Sequence, residues 1–186
     1  MTKYLKIIQS SDVFPKSKLE KPSKYTERET VKAIVKNNKN EIALVTNSVH
    51  NLYSLPGGGA ESDDLETEII RECLEEINQE VKIIGTVGVI QEFRDRDAKE
   101  YINTCFEALA LGEVVGDTRT EDEIKNGLRV EWVSKDRLKE IFAEQSKRVK
   151  NGEIGFYNTA FNILRDQEFI KEYFNRHKYF LDLQSG

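Results

Sequence analysis

Three consecutive glycines, Gly57, Gly58 and Gly59, follow Pro56 and run within six residues into a stretch whose apolar side chains recur at helical spacing. Without a Cβ, such a run adopts positive φ and lets the backbone approach a ligand closely, so the loop reads as functional. Beyond it, Leu65, Ile69, Ile70, Cys73, Leu74 and Ile77 form one stripe, which predicts an amphipathic helix over LETEIIRECLEEI. Asp64 is placed to cap its start, and Asn78 to end it in the left-handed conformation. The fold must therefore bury one face of this helix while holding the glycine loop at its N-terminal end.

Elements on both sides of that unit define the architecture. VKAIVK, the turn-prone NNKNE and IALVT read as a β-hairpin between Glu29 and Val45, and residues 46–64 as loop. After the helix come strand-like VKIIGTVGVIQEF, YINTCFEALALGE and LRVEWVS, with an acidic polar loop between the last two. A short helix begins at residues 134–136 and runs through Leu138, Ile141 and Phe142, and an amphipathic helix occupies about 156–174. The order β-β-loop-α-β-β-loop-β-α-α is not a regular βαβ alternation. It predicts an α+β sandwich, a mixed sheet between helices, in one domain over residues 28–186. Residues 1–27 read as an N-terminal extension whose apolar cluster YLKII forms an edge strand, and such an edge offers a pairing surface for a homodimer.

On the predicted helix, Glu72, Glu75 and Glu76 are spaced i, i+3 and i+4 and share one face. Their mutual repulsion has two remedies: a solvated face screened by Arg71 and water, or a divalent cation. Mg²⁺ is hard and oxygen-seeking, and it binds through a few carboxylates together with phosphate oxygens and water. The glycine loop immediately upstream favours the cation. A formal net charge of −5 gives no electrostatic reason to bind nucleic-acid polymers, so a small anionic substrate carried by a metal is the consistent alternative. No apolar run approaches the roughly 20 residues of a membrane span, and the N-terminus lacks the apolar region of a signal peptide, so a cytoplasmic protein is expected. The two cysteines, Cys73 and Cys105, lie in apolar contexts and are expected to be reduced and buried.

The segment Gly57 to Gln79 resembles the Nudix box, G-x5-E-x7-R-E-U-x-E-E-x-G-U with U aliphatic, best in LPGGG and RECLEE. Counted back from Arg71, Gly57 falls on the first glycine, and Asp63, Cys73, Asn78 and Gln79 replace the first glutamate, the first U, the second glycine and the last U. Counted forward from Pro56, the loop is one residue short and Asp64 stands for the acid. The resemblance covers about residues 28–145 and implies the Nudix α/β/α sandwich. It implies that Glu72, Glu75 and Glu76, with the carbonyl of Gly57, hold Mg²⁺ (Mn²⁺ as the alternative ion), that Arg71 orients those carboxylates, and that Asp63 or Asp64 anchors the loop.

The activity so implied is hydrolysis of the diphosphate linkage of a nucleoside triphosphate, damaged dNTPs included, or of a nucleoside diphosphate derivative. The rival reading is a non-catalytic module of the same fold that senses a nucleotide. Water attacks phosphorus while the metal neutralises the phosphate charge, and a carboxylate takes the proton. Glu123 in the acidic loop, Glu121 beside it, and Glu76 within the box are the candidates for that base. For the substrate, Gly58 lies in the loop, His50 is near it, and Tyr53, Phe93, Tyr101 and Phe156 are aromatics that either stack on a base or pack in the core. Arg94 and Arg96 lie in a charged turn that either touches phosphate or simply faces solvent.

Overall fold

The computed structural model describes residues 3–47, 50–112 and 128–184. Seven strands, β1 (Lys6–Gln9), β2 (Thr26–Lys36), β3 (Ile42–Asn47), β4 (Leu52–Ser54), β5 (Val81–Arg94), β6 (Lys99–Ala110) and β7 (Leu128–Val133), form a mixed sheet in the order β1-β5-β6-β2-β3-β4, with β7 also paired to β3. The helices are α1 (Ser10–Val13), α2 (Leu65–Ile77), α3 (Lys135–Lys150) and α4 (Tyr157–Gln184). Side chains alternate across the sheet as strand geometry requires. Val31, Ala33 and Val35 pack with Ile69, Cys73 and Ile77 of α2 on one face, while Ile34, Ile42 and Leu44 pack with Leu138, Phe142, Phe161 and Phe169 of α3 and α4 on the other. The expected α+β sandwich of a mixed sheet between helices is therefore the fold. Cys73 and Cys105 are both free and buried, one in each core layer. Among the described residues no helix is long and apolar enough to cross a membrane.

The predicted hairpin is present only at its root. β2 and β3 pair at Lys36–Ile42 alone and then splay, β2 running parallel to β6 from Thr26–Lys99 to Lys36–Leu109 and β3 antiparallel to β7. The reason is competition for one edge. The glycine loop occupies the side of β2 that a hairpin partner would use, through Ala33 N to Pro56 O (3.0 Å), Val31 N to Gly58 O (3.0 Å) and Ala60 N to Glu29 O (3.1 Å). The predicted loop over 46–64 contains the short strand β4, and the terminal helix runs ten residues past the expected end, to Gln184. The N-terminal segment is built into the sheet: β1 pairs parallel to β5 at its edge, and Ile8 and Val13 join the core.

Helix α2 is capped as expected. The Asp64 side chain accepts from Thr67 N (3.2 Å), and Asn78 takes φ 52° and ψ 44° at the C-terminal end. The Thr67 hydroxyl and amide hold the Asp64 carboxyl below its ordinary range. The apolar stripe keeps Ile69, Cys73 and Ile77 but not Ile70, which is exposed, while Glu68 is buried.

Between the sheet and α4 lies a buried polar chain. Thr30 Oγ1 donates to Asn103 Oδ1 (2.6 Å), which also accepts from Arg165 Nη1 (3.1 Å). Arg165 Nε donates to Asp166 Oδ1 (2.9 Å), and Asp166 Oδ2 accepts from Leu55 N (2.9 Å). Arg165 Nη2 also lies 2.8 Å from Asp166 Oδ1, as an ion pair outside hydrogen-bonding alignment. Asp166 thus ties α4 to the residue just before the glycine loop. Removing it strands a buried guanidinium and an amide, so Asp166→Ala is expected to lower stability by about 3 kcal/mol in urea unfolding. A loss below about 1 kcal/mol would show that the pair does not carry this load.

Candidate active site

The site is assembled where the glycine loop crosses the start of β2 and faces α2. Gly57 has φ +126°, and a Cβ there would land on the Val31 carbonyl oxygen, so the pairing with β2 admits only glycine at this point. At Gly58, a Cβ would lie 2.5 Å from Glu72 Oε2, which measures how closely that carboxylate covers the loop. Glu76 Oε2 accepts from Gly57 N at 2.7 Å. Two of the three predicted metal ligands, one turn apart on α2, therefore reach the loop backbone.

Arg71 organises the acids. Its guanidinium donates to Glu68 Oε2 (2.9 Å), Glu72 Oε1 (2.8 Å) and Glu75 Oε2 (2.7 Å). These contacts, Glu68 and Glu75 first, push its own pKa further up. Burial raises the pKa of Glu72, and Arg71, Glu75 and Lys32 act on it in turn, Arg71 and Lys32 opposing the rise. The carboxylate is thus partly stripped of water, with Arg71 as its positive partner on one oxygen. Glu75 is more exposed, with its side chain at 54%, and holds Arg71 from the solvent side.

Two residues of the site were not singled out in the sequence. Lys32 is buried, and its Nζ donates to Leu55 O (3.1 Å) and to Gly57 O, the carbonyl expected to bind metal. The available signal was a lysine flanked by the apolar residues Val31, Ala33 and Ile34 in the middle of a strand. Glu68 receives Ser62 Oγ at 2.8 Å as well as Arg71, so it joins loop to helix. That is the anchoring role expected of Asp63 or Asp64. Asp64 serves the helix cap instead, and a glutamate one turn into α2 makes the link.

Other candidates scatter. His50, Tyr53 and Phe156 line a cavity of about 350 Å³ beside the loop, with Ser54, Thr159 and Asn162. Tyr53 packs against the core, and burial together with a hydrogen bond to Glu131 raises its pKa. Arg94 corrects the expectation of a charged surface turn. It ends β5 inside the protein, 4% exposed, with Nη2 and Nε on Glu92 Oε2 (2.6 and 2.9 Å) and its guanidinium 4.3 Å from the Tyr101 ring centre. It is out of direct reach of a phosphate because Glu92 neutralises it in place. Arg96 lies 4.1 Å over the Tyr157 ring, and Phe93 packs edge-on against Tyr25. Glu121 and Glu123 fall outside the described residues.

Among the described residues no three acid, histidine or cysteine side chains already converge as a metal cage. The donor set nevertheless fits a hard divalent ion. Glu72, Glu76 and the Gly57 carbonyl are oxygen donors on one patch, and the Gly57 carbonyl already draws a cationic group from the chain itself.

The family model of the NUDIX domain matches residues 26–151. This chain belongs to the Nudix hydrolase family. Among solved structures it is similar to a NUDIX hydrolase from Nitrosomonas europaea (19% identity over 63% of this chain and 79% of that one, TM-score 0.53). It also matches a MutT protein from Methanosarcina mazei Go1 (20%, 71% and 98%, TM-score 0.46) and an ADP-ribose pyrophosphatase from Streptococcus suis 89-1591 (21%, 60% and 76%, TM-score 0.43). A search of curated proteins found no match.

If Glu68 rather than the aspartates secures the loop, Glu68→Ala should lower kcat/KM by about tenfold or more, the usual consequence of losing a partner that orients ligating groups. Asp63→Ala should stay within about twofold. Equal effects of the two substitutions in steady-state assays would overturn the assignment.

Proposed function

We propose that the protein hydrolyses the diphosphate linkage of a nucleoside triphosphate, or of a nucleoside diphosphate joined to another group, with Mg²⁺ as its preferred ion and Mn²⁺ as a substitute. The observation that carries this reading is the joint approach of Glu72 and Glu76 to the backbone of Gly57 and Gly58. Two carboxylates held against a glycine loop leave room for phosphate oxygens and create a demand for positive charge between them.

Glu72, Glu76 and the Gly57 carbonyl would hold the ion, with Glu75 joining from the outer side of Arg71. When bound, the ion offsets the charge of the diphosphate and acidifies water. The chain's own residues do the rest. Arg71 aims Glu72 and Glu75, and Glu68 fixes Arg71 to the loop through Ser62. Lys32 holds the loop carbonyls of Leu55 and Gly57 in register and adds fixed positive charge. Exposed Arg28, whose guanidinium lies where a Gly59 Cβ would project, adds a second positive group at the loop. The proton of the attacking water passes to a carboxylate, Glu76, Glu123 and Glu121 being the candidates.

The test is turnover of a panel of nucleoside triphosphates and nucleoside diphosphate derivatives with and without Mg²⁺. Glu72→Gln and Glu76→Gln should each lose at least about 100-fold in kcat/KM, since a ligated ion is worth several kcal/mol to the transition state. EDTA should abolish activity and Mn²⁺ restore it. Tight nucleotide binding without any metal-dependent turnover would instead make the protein a sensing module, and unchanged rates in both variants would end the metal assignment.

A further inference from the structure

The buried lysine of β2 has no acid to answer its charge. Lys32 is 8% exposed, its ammonium donates to two backbone carbonyls, Leu55 O (3.1 Å) and Gly57 O, and it forms no ion pair among the described residues. Arg71, by contrast, reaches three carboxylates from α2. Burying an ammonium against uncharged acceptors is costly, and a neutral donor such as a glutamine amide would tie the same carbonyls without that cost. A positive charge at this point is more than stapling the loop requires.

Gly57 O is where that charge and a divalent ion would meet, since the same oxygen joins Glu72 and Glu76 in the metal assignment above. The carbonyl has little freedom to serve both by turning. Gly57 sits at φ +126° between the bonds that Pro56 O and Gly58 O make to β2, and its amide donates to Glu76 Oε2 at 2.7 Å. Lys32 can yield more easily, because its four-carbon stem is flexible and Leu55 O stays in reach as an acceptor. An ammonium and a divalent ion on one oxygen repel each other across a single atom, so each weakens the other's hold. The field of Lys32 extends to Glu72, where it opposes the burial-driven rise in pKa along with Arg71.

We infer that Lys32 is the resident cation of the metal-free site and competes with the divalent ion for Gly57 O, so that this lysine sets how tightly the protein takes up the ion. The inference rests on the metal assignment proposed above. Lys32 holds the Gly57 carbonyl until an ion arrives, and then keeps Leu55 O alone. It is a positioning residue, acting on the ion through the oxygen they share and touching no reacting atom.

Calorimetric titration of the full chain with Mn²⁺ alone, in the absence of nucleotide, decides it, with melting temperatures to confirm that each variant is folded. Lys32→Gln keeps an N–H donor for the carbonyl and removes the charge, and it should bind Mn²⁺ at least about tenfold more tightly than the native chain. Glu72→Gln added to Lys32→Gln should erase that gain, which locates the tightened site at α2. A smaller gain or a loss in Lys32→Gln, with Glu72→Gln still weakening Mn²⁺ binding, would overturn the competition and leave the metal assignment intact. Mn²⁺ binding indifferent to Glu72→Gln in every background would remove both. If Lys32→Gln fails to fold, the native chain carries the test by nuclear magnetic resonance. Exchange of the Lys32 ammonium protons with water should quicken as Mg²⁺ saturates the shift of the Gly57 amide signal, and unchanged exchange at saturation would overturn the inference.

Discussion

Everything in the site depends on the glycine loop docking as a strand against β2. Three backbone hydrogen bonds from residues 56–60 to residues 29–33 seat it there, and the pairing survives only because Gly57 brings no Cβ against the Val31 carbonyl. Once the loop takes that edge, β3 must leave β2 after a single pair and find β7 and β4 instead. The division of the sheet, the placement of α2 over the loop and the position of α4 behind it follow from the same occupancy. The backbone of the loop is thereby presented to α2 already paired with β2, and its Gly57 amide meets Glu76.

Charge in this protein is organised in two layers, one on each face of the sheet. On the α2 side, Arg71 gathers Glu68, Glu72 and Glu75 in partly hydrated surroundings, where contacts can be exchanged for a ligand's. On the α4 side, Glu92, Arg94, Arg165 and Asp166 are shut away from water and pair with one another and the asparagines, with Glu92 Oε1 and Arg165 Nη2 left outside any hydrogen bond among the described residues. Burial of that many ionic groups is costly, and apolar replacements of equal volume are often no less stable. What the buried layer gives in return is directional: it holds the Leu55 amide through Asp166 and the Asn162 amide through Arg94 and Arg165. Lys32 crosses between the layers, a β2 side chain on the α4 face whose ammonium reaches the loop carbonyls.

Much of the fold was legible because α2 declares itself. Asp64, the period of Ile69, Cys73 and Ile77, and Asn78 each state a local preference that tertiary packing did not override. The acid cluster was equally plain. What stayed hidden were relations between distant segments. Nothing in VKAIVK says that a loop twenty-five residues later will claim its edge, so the splaying of the predicted hairpin could not be read. Arg94 looked exposed because its neighbours Asp95, Arg96 and Asp97 are charged. Only the pairing of β5 with β6 and the packing of α4 put it inside. The exchange of the loop aspartates for Glu68 was invisible for a similar reason, since an acid three residues before an arginine is ordinary on any helix.

The tie between Arg71 and Glu68 is local, with both ends on one helix. In a loop-to-helix ion pair the partner's position depends on every residue of the intervening loop, so any insertion or deletion displaces it. Here the pairing geometry comes from the helical repeat alone, and only the light contact from Ser62 reaches back into the loop. The segment between Gly59 and Ser62 is thereby released from holding the acid cluster together. It can change length while the arrangement of Glu72 and Glu76 stays put. The protein has in effect moved a structural duty off a variable part and onto a rigid one, leaving the loop free to be shaped by whatever passes over it.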